Sequence, residues 1–161
     1  MVVKTIAIIR YIFGGVGLAI GFYFLGMGNL TKATAIVSLT TVGLVGLISF
    51  VSHVIFHKQD AKRIGLETKS TGFQFEVGFA NLAFGIVALF SYFGNWGIVA
   101  NAVLILTFAI YLLQAGILHT WKSLSGGKKD VGHFIRGGLV IFLYSGMMLY
   151  FAIKALVSLH F

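Results

Sequence analysis

The chain has 161 residues, 58% of them hydrophobic and 10% charged, and a formal net charge of +8. A soluble domain carries about 25% charged residues, and a core of this length cannot hide so much apolar side chain, so a water-surrounded fold is excluded. There is no cysteine, which removes disulfides, thiolate metal sites and cysteine nucleophiles. There is no proline either, so any helix distortion must come from glycine or from polar side chains.

A membrane-spanning helix needs about 20 mostly apolar residues, and five segments qualify. The first, 5–26, follows Lys4 and contains Arg10 near its start. Its apolar run exceeds that of a signal peptide and reads as a retained helix. Gly15-Val16-Gly17-Leu18-Ala19-Ile20-Gly21 lacks the spacing of a dinucleotide loop. Gly17 and Gly21 instead form a GxxxG pair suited to close helix approach. Gly28-Asn29-Leu30-Thr31-Lys32 is a tight polar turn leading to the second segment, 33–56. Near its end Ser49, His53 and His57 share one helical face at four-residue spacing.

The hydrophilic stretch 57–71 connects to the third segment, 73–93, which carries Glu76 about 6 Å along its helix. A carboxylate at that depth is costly unless paired or neutralised, so Glu76 is expected to face the protein interior. An ion pair with Arg136 is the structural account; a proton-carrying carboxyl, a metal ligand or a catalytic acid are the functional ones. Gly78, Asn81, Gly85 and Ala88 form a stripe at helical spacing, suited to a close helix contact. After Gly94-Asn95-Trp96 comes the fourth segment, 97–121, with Asn101, Gln114 and His119. In lipid the amides of Asn81, Asn101 and Gln114 call for interhelical partners. The connection 122–132 contains Gly126-Gly127-Lys128-Lys129, a flexible basic turn without phosphate-loop spacing. The last segment, 134–157, opens beside His133 and contains Arg136 and Tyr144.

Ten of the twelve Lys and Arg residues fall on the side of the N-terminus, 57–71 and 122–136; only Lys32 and Lys154 lie opposite. The positive-inside rule then places the N-terminus in the cytoplasm and the C-terminus outside. The expected fold is an all-α, polytopic bundle of five transmembrane helices forming a single domain over 1–161, in a prokaryotic inner membrane. Its partners are the bilayer, anionic headgroups at the basic loops, and further copies of itself or a membrane complex. Basic residues confined to short loops beside apolar runs do not make a nucleic-acid surface.

His53, His57, His119 and Glu76 all fall near one membrane boundary in this topology. Imidazole with carboxylate is the donor set of zinc or non-haem iron, although HxxxH lacks the glutamate of the HExxH protease signature. A second polar set, Glu76, Asn81, Gln114 and Arg136, is suited to packing or to a solute. Three functions stay open. They are a packed accessory or homo-oligomeric protein, a small transporter or channel using Glu76 as proton or cation site, and an enzyme with a His/Glu metal centre. The reading leans away from an enzyme.

Glu76-Val77-Gly78-Phe79-Ala80-Asn81-Leu82-Ala83-Phe84-Gly85 and Gly116-Ile117-Leu118-His119 resemble the E-x-G-x-A-N-L-x-F-G and G-x-x-H motifs of a family of uncharacterised small prokaryotic integral membrane proteins. That resemblance directs attention to Glu76, Asn81 and His119 and implies no reaction.

Overall fold

The computed structural model describes residues 2–64, 71–125 and 138–159. Five of its helices are long and apolar enough to cross a membrane: α1 (Val2–Gly26), α2 (Leu30–Ile55), α4 (Gly72–Phe93), the apolar Gly97–Trp121 of α5 (Gly97–Ser125), and α6 (Val140–Val157). The short α3 (His57–Ile64) lies between α2 and α4. No strand occurs among the described residues. Phe79, Phe90, Phe93, Leu143 and Ile153 stand exposed on the outside, a surface that hydrocarbon or another protein must cover. The bundle is that of a multi-pass membrane protein.

Tight turns reverse the chain at one end. Gly28 takes φ 75°, and Asn29 caps α2 by accepting from the Lys32 amide at 3.0 Å. Between α4 and α5 the left-handed positions are Asn95 at φ 51° and Gly97 at φ 88°.

Small residues set the helix contacts. A Cβ on Gly17 would collide with Thr40, and one on Gly21 with Val37, so the GxxxG pair does bring α1 against α2. A Cβ on Gly46 would lie 2.7 Å from the Asn81 carbonyl oxygen and 3.1 Å from the Gly85 nitrogen. At that crossing α2 and α4 touch backbone to backbone. The stripe Gly78, Asn81, Gly85 and Ala88 is buried along its whole length, as its spacing implies. On the other side Ile105, Phe108 and Ala109 of α5 meet Met148, Phe151 and Ala152 of α6 in a fully buried core. Gly14 packs on Tyr144 and Gly21 on Phe151, so α6 runs parallel to α1.

α2 is irregular although it has no proline. It widens into π-helix at Ser38–Leu44 and Val51–Ile55. In the first segment Thr40 donates to the Ile36 carbonyl at 2.8 Å and Thr41 to the Val37 carbonyl at 2.7 Å. Such back-bonding competes with the helical ladder and bends helices, and π-turns concentrate at functional positions. The second segment ends where Phe56 leaves helical geometry, at φ −107° and ψ 28°.

Candidate functional site

The break at Phe56 decides what the basic end of the bundle looks like. It turns α3 back beneath α2, and the carboxyl of Asp60 is thereby buried to 1% exposure. Arg63 donates to its Oδ1 through Nε at 2.9 Å and a terminal nitrogen at 2.7 Å. Nδ1 of His53 lies 2.9 Å from Oδ2. That is a close polar contact without hydrogen-bond alignment, and it leaves Oδ2 with no aligned donor. Burial alone pushes the Asp60 carboxyl up, but the His53 ring and the Arg63 guanidinium outweigh it and hold the group down to about 2. Asp60 is therefore a fixed anion clamped between two helices.

A second polar group of residues lies deeper, built from all five long helices. Arg10 of α1, half-buried, donates to Ser49 Oγ of α2 at 3.3 Å. It sits about 12 Å along its helix from Val2, so it belongs to the bundle and is not the loop charge that a count by sides assumes. Asn81 of α4 donates to the Tyr111 hydroxyl of α5 at 2.9 Å and to the Val77 carbonyl at 2.7 Å. The Tyr144 hydroxyl of α6 lies against Gly14, one turn from Arg10, where a Cβ would approach it to 2.7 Å. The Tyr144 hydroxyl is buried beside Thr41, whose own proton goes to the Val37 carbonyl and whose oxygen keeps its lone pairs toward the phenol. Gly46, one turn from Ser49, faces Asn81, so Arg10, Ser49 and Asn81 lie near one depth, with Tyr144 further along beside Gly14.

A family model matches residues 7–156 of this chain. The chain belongs to DUF6790, a family of unknown function. No curated protein and no solved structure matches it. Membership supplies no reaction, so the chemistry of this family member has to be read from its own side chains.

The structure separates several residues that the sequence suggests are together. Glu76 was expected to face the interior; it is exposed, on the outward face of α4 with Phe73, Phe79 and Ala83. The inward stripe of α4 is fixed by Gly78, Asn81 and Gly85, and Glu76 stands about 140° from Asn81 around the helix. Gln114, expected to find an interhelical partner, is exposed on α5. His53 and His57 do not share a face, because Phe56 interrupts the helix between them. His57 turns to Phe75, ring centroids 5.2 Å apart, with Nδ1 3.0 Å from the Val54 carbonyl oxygen. His119 is half-buried near the end of α5. Arg136 and His133 lie outside the described residues.

Among the described residues no three His, Asp or Glu side chains gather as metal ligands. His53 does meet an acid, but it is Asp60, and Arg63 already holds that carboxylate. Arg63 occupies Oδ1, so one carboxylate oxygen and one imidazole remain, too few ligands for zinc or iron. In the sequence Lys58, Gln59, Lys62 and Arg63 give the segment around Asp60 the look of a solvated loop. The histidine seven residues upstream is the one signal that points to it.

Proposed function

We propose that the protein is a packed membrane component that works as a homo-oligomer, with its N-terminus and basic loops in the cytoplasm and its polar site at that end. The supporting observation is the pair of polar side chains on the outer surface. Glu76 and Gln114 are both exposed on helices whose neighbours on that surface are apolar. α4 and α5 keep one register through Asn81–Tyr111, Phe84–Phe108 and Ser91–Asn101. That register sets Gln114 opposite Gly78, two residues or about 3 Å in depth from Glu76.

A carboxylate facing hydrocarbon costs several kcal/mol, and membrane proteins turn such groups toward protein or water. A two-fold axis along the membrane normal leaves depth unchanged, so Glu76 of one copy can meet only residues of its own depth on another. Gln114 satisfies that condition, and the two-fold makes the contact twice, Glu76 to Gln114 in each direction. Glutamine offers the N–H donors that a carboxylate accepts.

The absence of native cysteine makes the test clean. A mixture of Glu76→Cys and Gln114→Cys chains, reconstituted together and oxidised, is expected to give a covalent dimer. Either variant mixed with a Val99→Cys chain is expected to give none. A mixture that stays monomeric under oxidation, with a monomeric mass for the unmodified protein in nanodiscs, would refute the homo-oligomer. Orientation has its own check. Cysteine at Lys62, exposed on α3, should react with a membrane-impermeant maleimide only from the cytoplasmic side, and cysteine at Asn95 only from outside. The opposite labelling pattern would invert the topology.

A further inference from the structure

The two tight turns leave a cavity between them, at the end of the bundle opposite α3. Its volume is about 500 Å³, within the range of small-ligand sites. The floor is Ser91 near the end of α4 and Asn101 early in α5, 0% and 3% exposed. The rim is formed by Asn29, Thr31 and Lys32 at the start of α2 and by Asn95 in the turn after α4, all exposed.

Hydrogen bonds within this lining use acceptors and leave donors. Asn29 Oδ1 accepts from the Lys32 amide at 3.0 Å, and the N–H groups of its side chain remain to be given. Asn101 Oδ1 accepts from Ser91 Oγ at 3.1 Å, and Asn101 Nδ2 donates to the Gly97 carbonyl at 2.9 Å. Its second N–H is what is left for the cavity. The Lys32 ammonium lies 4.3 Å from the centre of the Phe24 ring, a contact that places the charge without neutralising it. No carboxylate of the described residues lies at this end, since Asp60 and Glu76 both belong to the other. One full positive charge, amide donors on floor and rim, and no acid to answer them suit an oxyanion. Phe93 also lines the cavity and is 73% exposed on the outside of α4, and Trp96 close by is 54% exposed. Aromatic side chains collect at headgroup level, so the opening stands where phospholipid phosphates stand, with an apolar edge for the acyl chains to cross.

We propose that this cavity binds the phosphate of an anionic phospholipid headgroup, with Lys32 as the charge and Asn29 and Asn101 as donors. A zwitterionic headgroup gains less, because no acid is present for its ammonium. Free phosphate carries the same oxygens but makes no use of the apolar edge at Phe93.

The experiment titrates the purified, delipidated chain in maltoside detergent with phosphatidylglycerol, phosphatidylcholine or inorganic phosphate and follows the melting temperature. Phosphatidylglycerol is expected to stabilise saturably, and the other two only at higher concentration. Lys32→Gln, at an exposed position, should weaken the apparent affinity for phosphatidylglycerol by about tenfold. Asn29→Asp keeps the cap on α2, because aspartate caps as well as asparagine, and sets a negative charge on the rim. That variant should melt like the wild type without lipid and lose the response to it. Lys58→Gln combined with Lys62→Gln, exposed on α3 at the other end, should retain the response. Absence of stabilisation by phosphatidylglycerol, or an unchanged affinity in both Lys32→Gln and Asn29→Asp, overturns the site. Loss of the response in the Lys58→Gln, Lys62→Gln chain alone also overturns it, by moving the lipid to the basic end. Stabilisation by inorganic phosphate at the concentrations where phosphatidylglycerol acts overturns the lipid as the occupant and leaves a soluble anion in its place.

Discussion

Replacing Gly46 with alanine is expected to destabilise the bundle by about 1–3 kcal/mol, the usual cost of overpacking. The added methyl would stand 2.7 Å from the Asn81 carbonyl oxygen and 3.1 Å from the Gly85 nitrogen. Both are backbone atoms of α4, so no side-chain rotation relieves the contact and the two helices must separate. Separation carries Asn81 with it, and the hydrogen bond from Asn81 to Tyr111 then loosens the α4–α5 pair as well. Gly85→Leu should act in the same direction, because Leu47 already occupies the space, 2.9 Å from a Cβ at position 85. Gly15 and Gly146 are the controls, with nothing within 4 Å of an added Cβ. Thermal melting in detergent should place Gly46→Ala well below both alanine controls. Coincident melting curves would show that α2 and α4 do not meet at their backbones.

The parts of this fold that were legible in the sequence are those governed by one local property. Runs of apolar residues as long as the bilayer is thick mark the five helices, and small residues at helical spacing mark where they touch, as Gly17, Gly21 and the Gly78–Ala88 stripe do. The polar residues were harder, because their surroundings depend on which way each helix turns. Glu76 illustrates the point. The cost of exposing a carboxylate to lipid argued for an inward position, yet the stripe on its own helix had already assigned the inward face elsewhere. Backbone contact between α4 and α2 through glycine fixes that rotation, and the stray charge is left on the outside. Asp60 failed for the opposite reason. Its neighbours are hydrophilic, and only the dihedral break at Phe56, which no residue type announces, folds α3 underneath α2. Arg10 shows its sign in the sequence, but its surroundings depend on how α1 is turned. Its hydrogen bond to Ser49 needs α1 and α2 in register before it can be seen.

Asp60 supplies the other large expected effect. Truncating one member of a buried ionic cluster leaves its partners unpaired and costs about 3–5 kcal/mol. Here the partners are partly exposed, His53 at 15% and Arg63 at 24%, so water recovers some of the loss and Asp60→Ala should cost about 2–3 kcal/mol. The same cluster makes stability depend on acid. The carboxyl is held down to about 2 in the folded protein against 3.8 when free. A depressed value means that the folded state keeps the charge more readily than the unfolded one. The stabilisation is therefore complete above about pH 4 and is lost as the pH falls through about 2. Its size, from a shift of nearly two pH units, is about 2 kcal/mol, in agreement with the truncation cost. Wild type should thus lose stability between pH 4 and pH 2 by that amount more than Asp60→Asn, which has no proton to gain and retains the side-chain shape. Melting temperatures of the two proteins across that range provide the measurement. Parallel pH profiles would mean that the carboxyl is not clamped by His53 and Arg63, and that α3 is held beneath α2 by its apolar contacts alone.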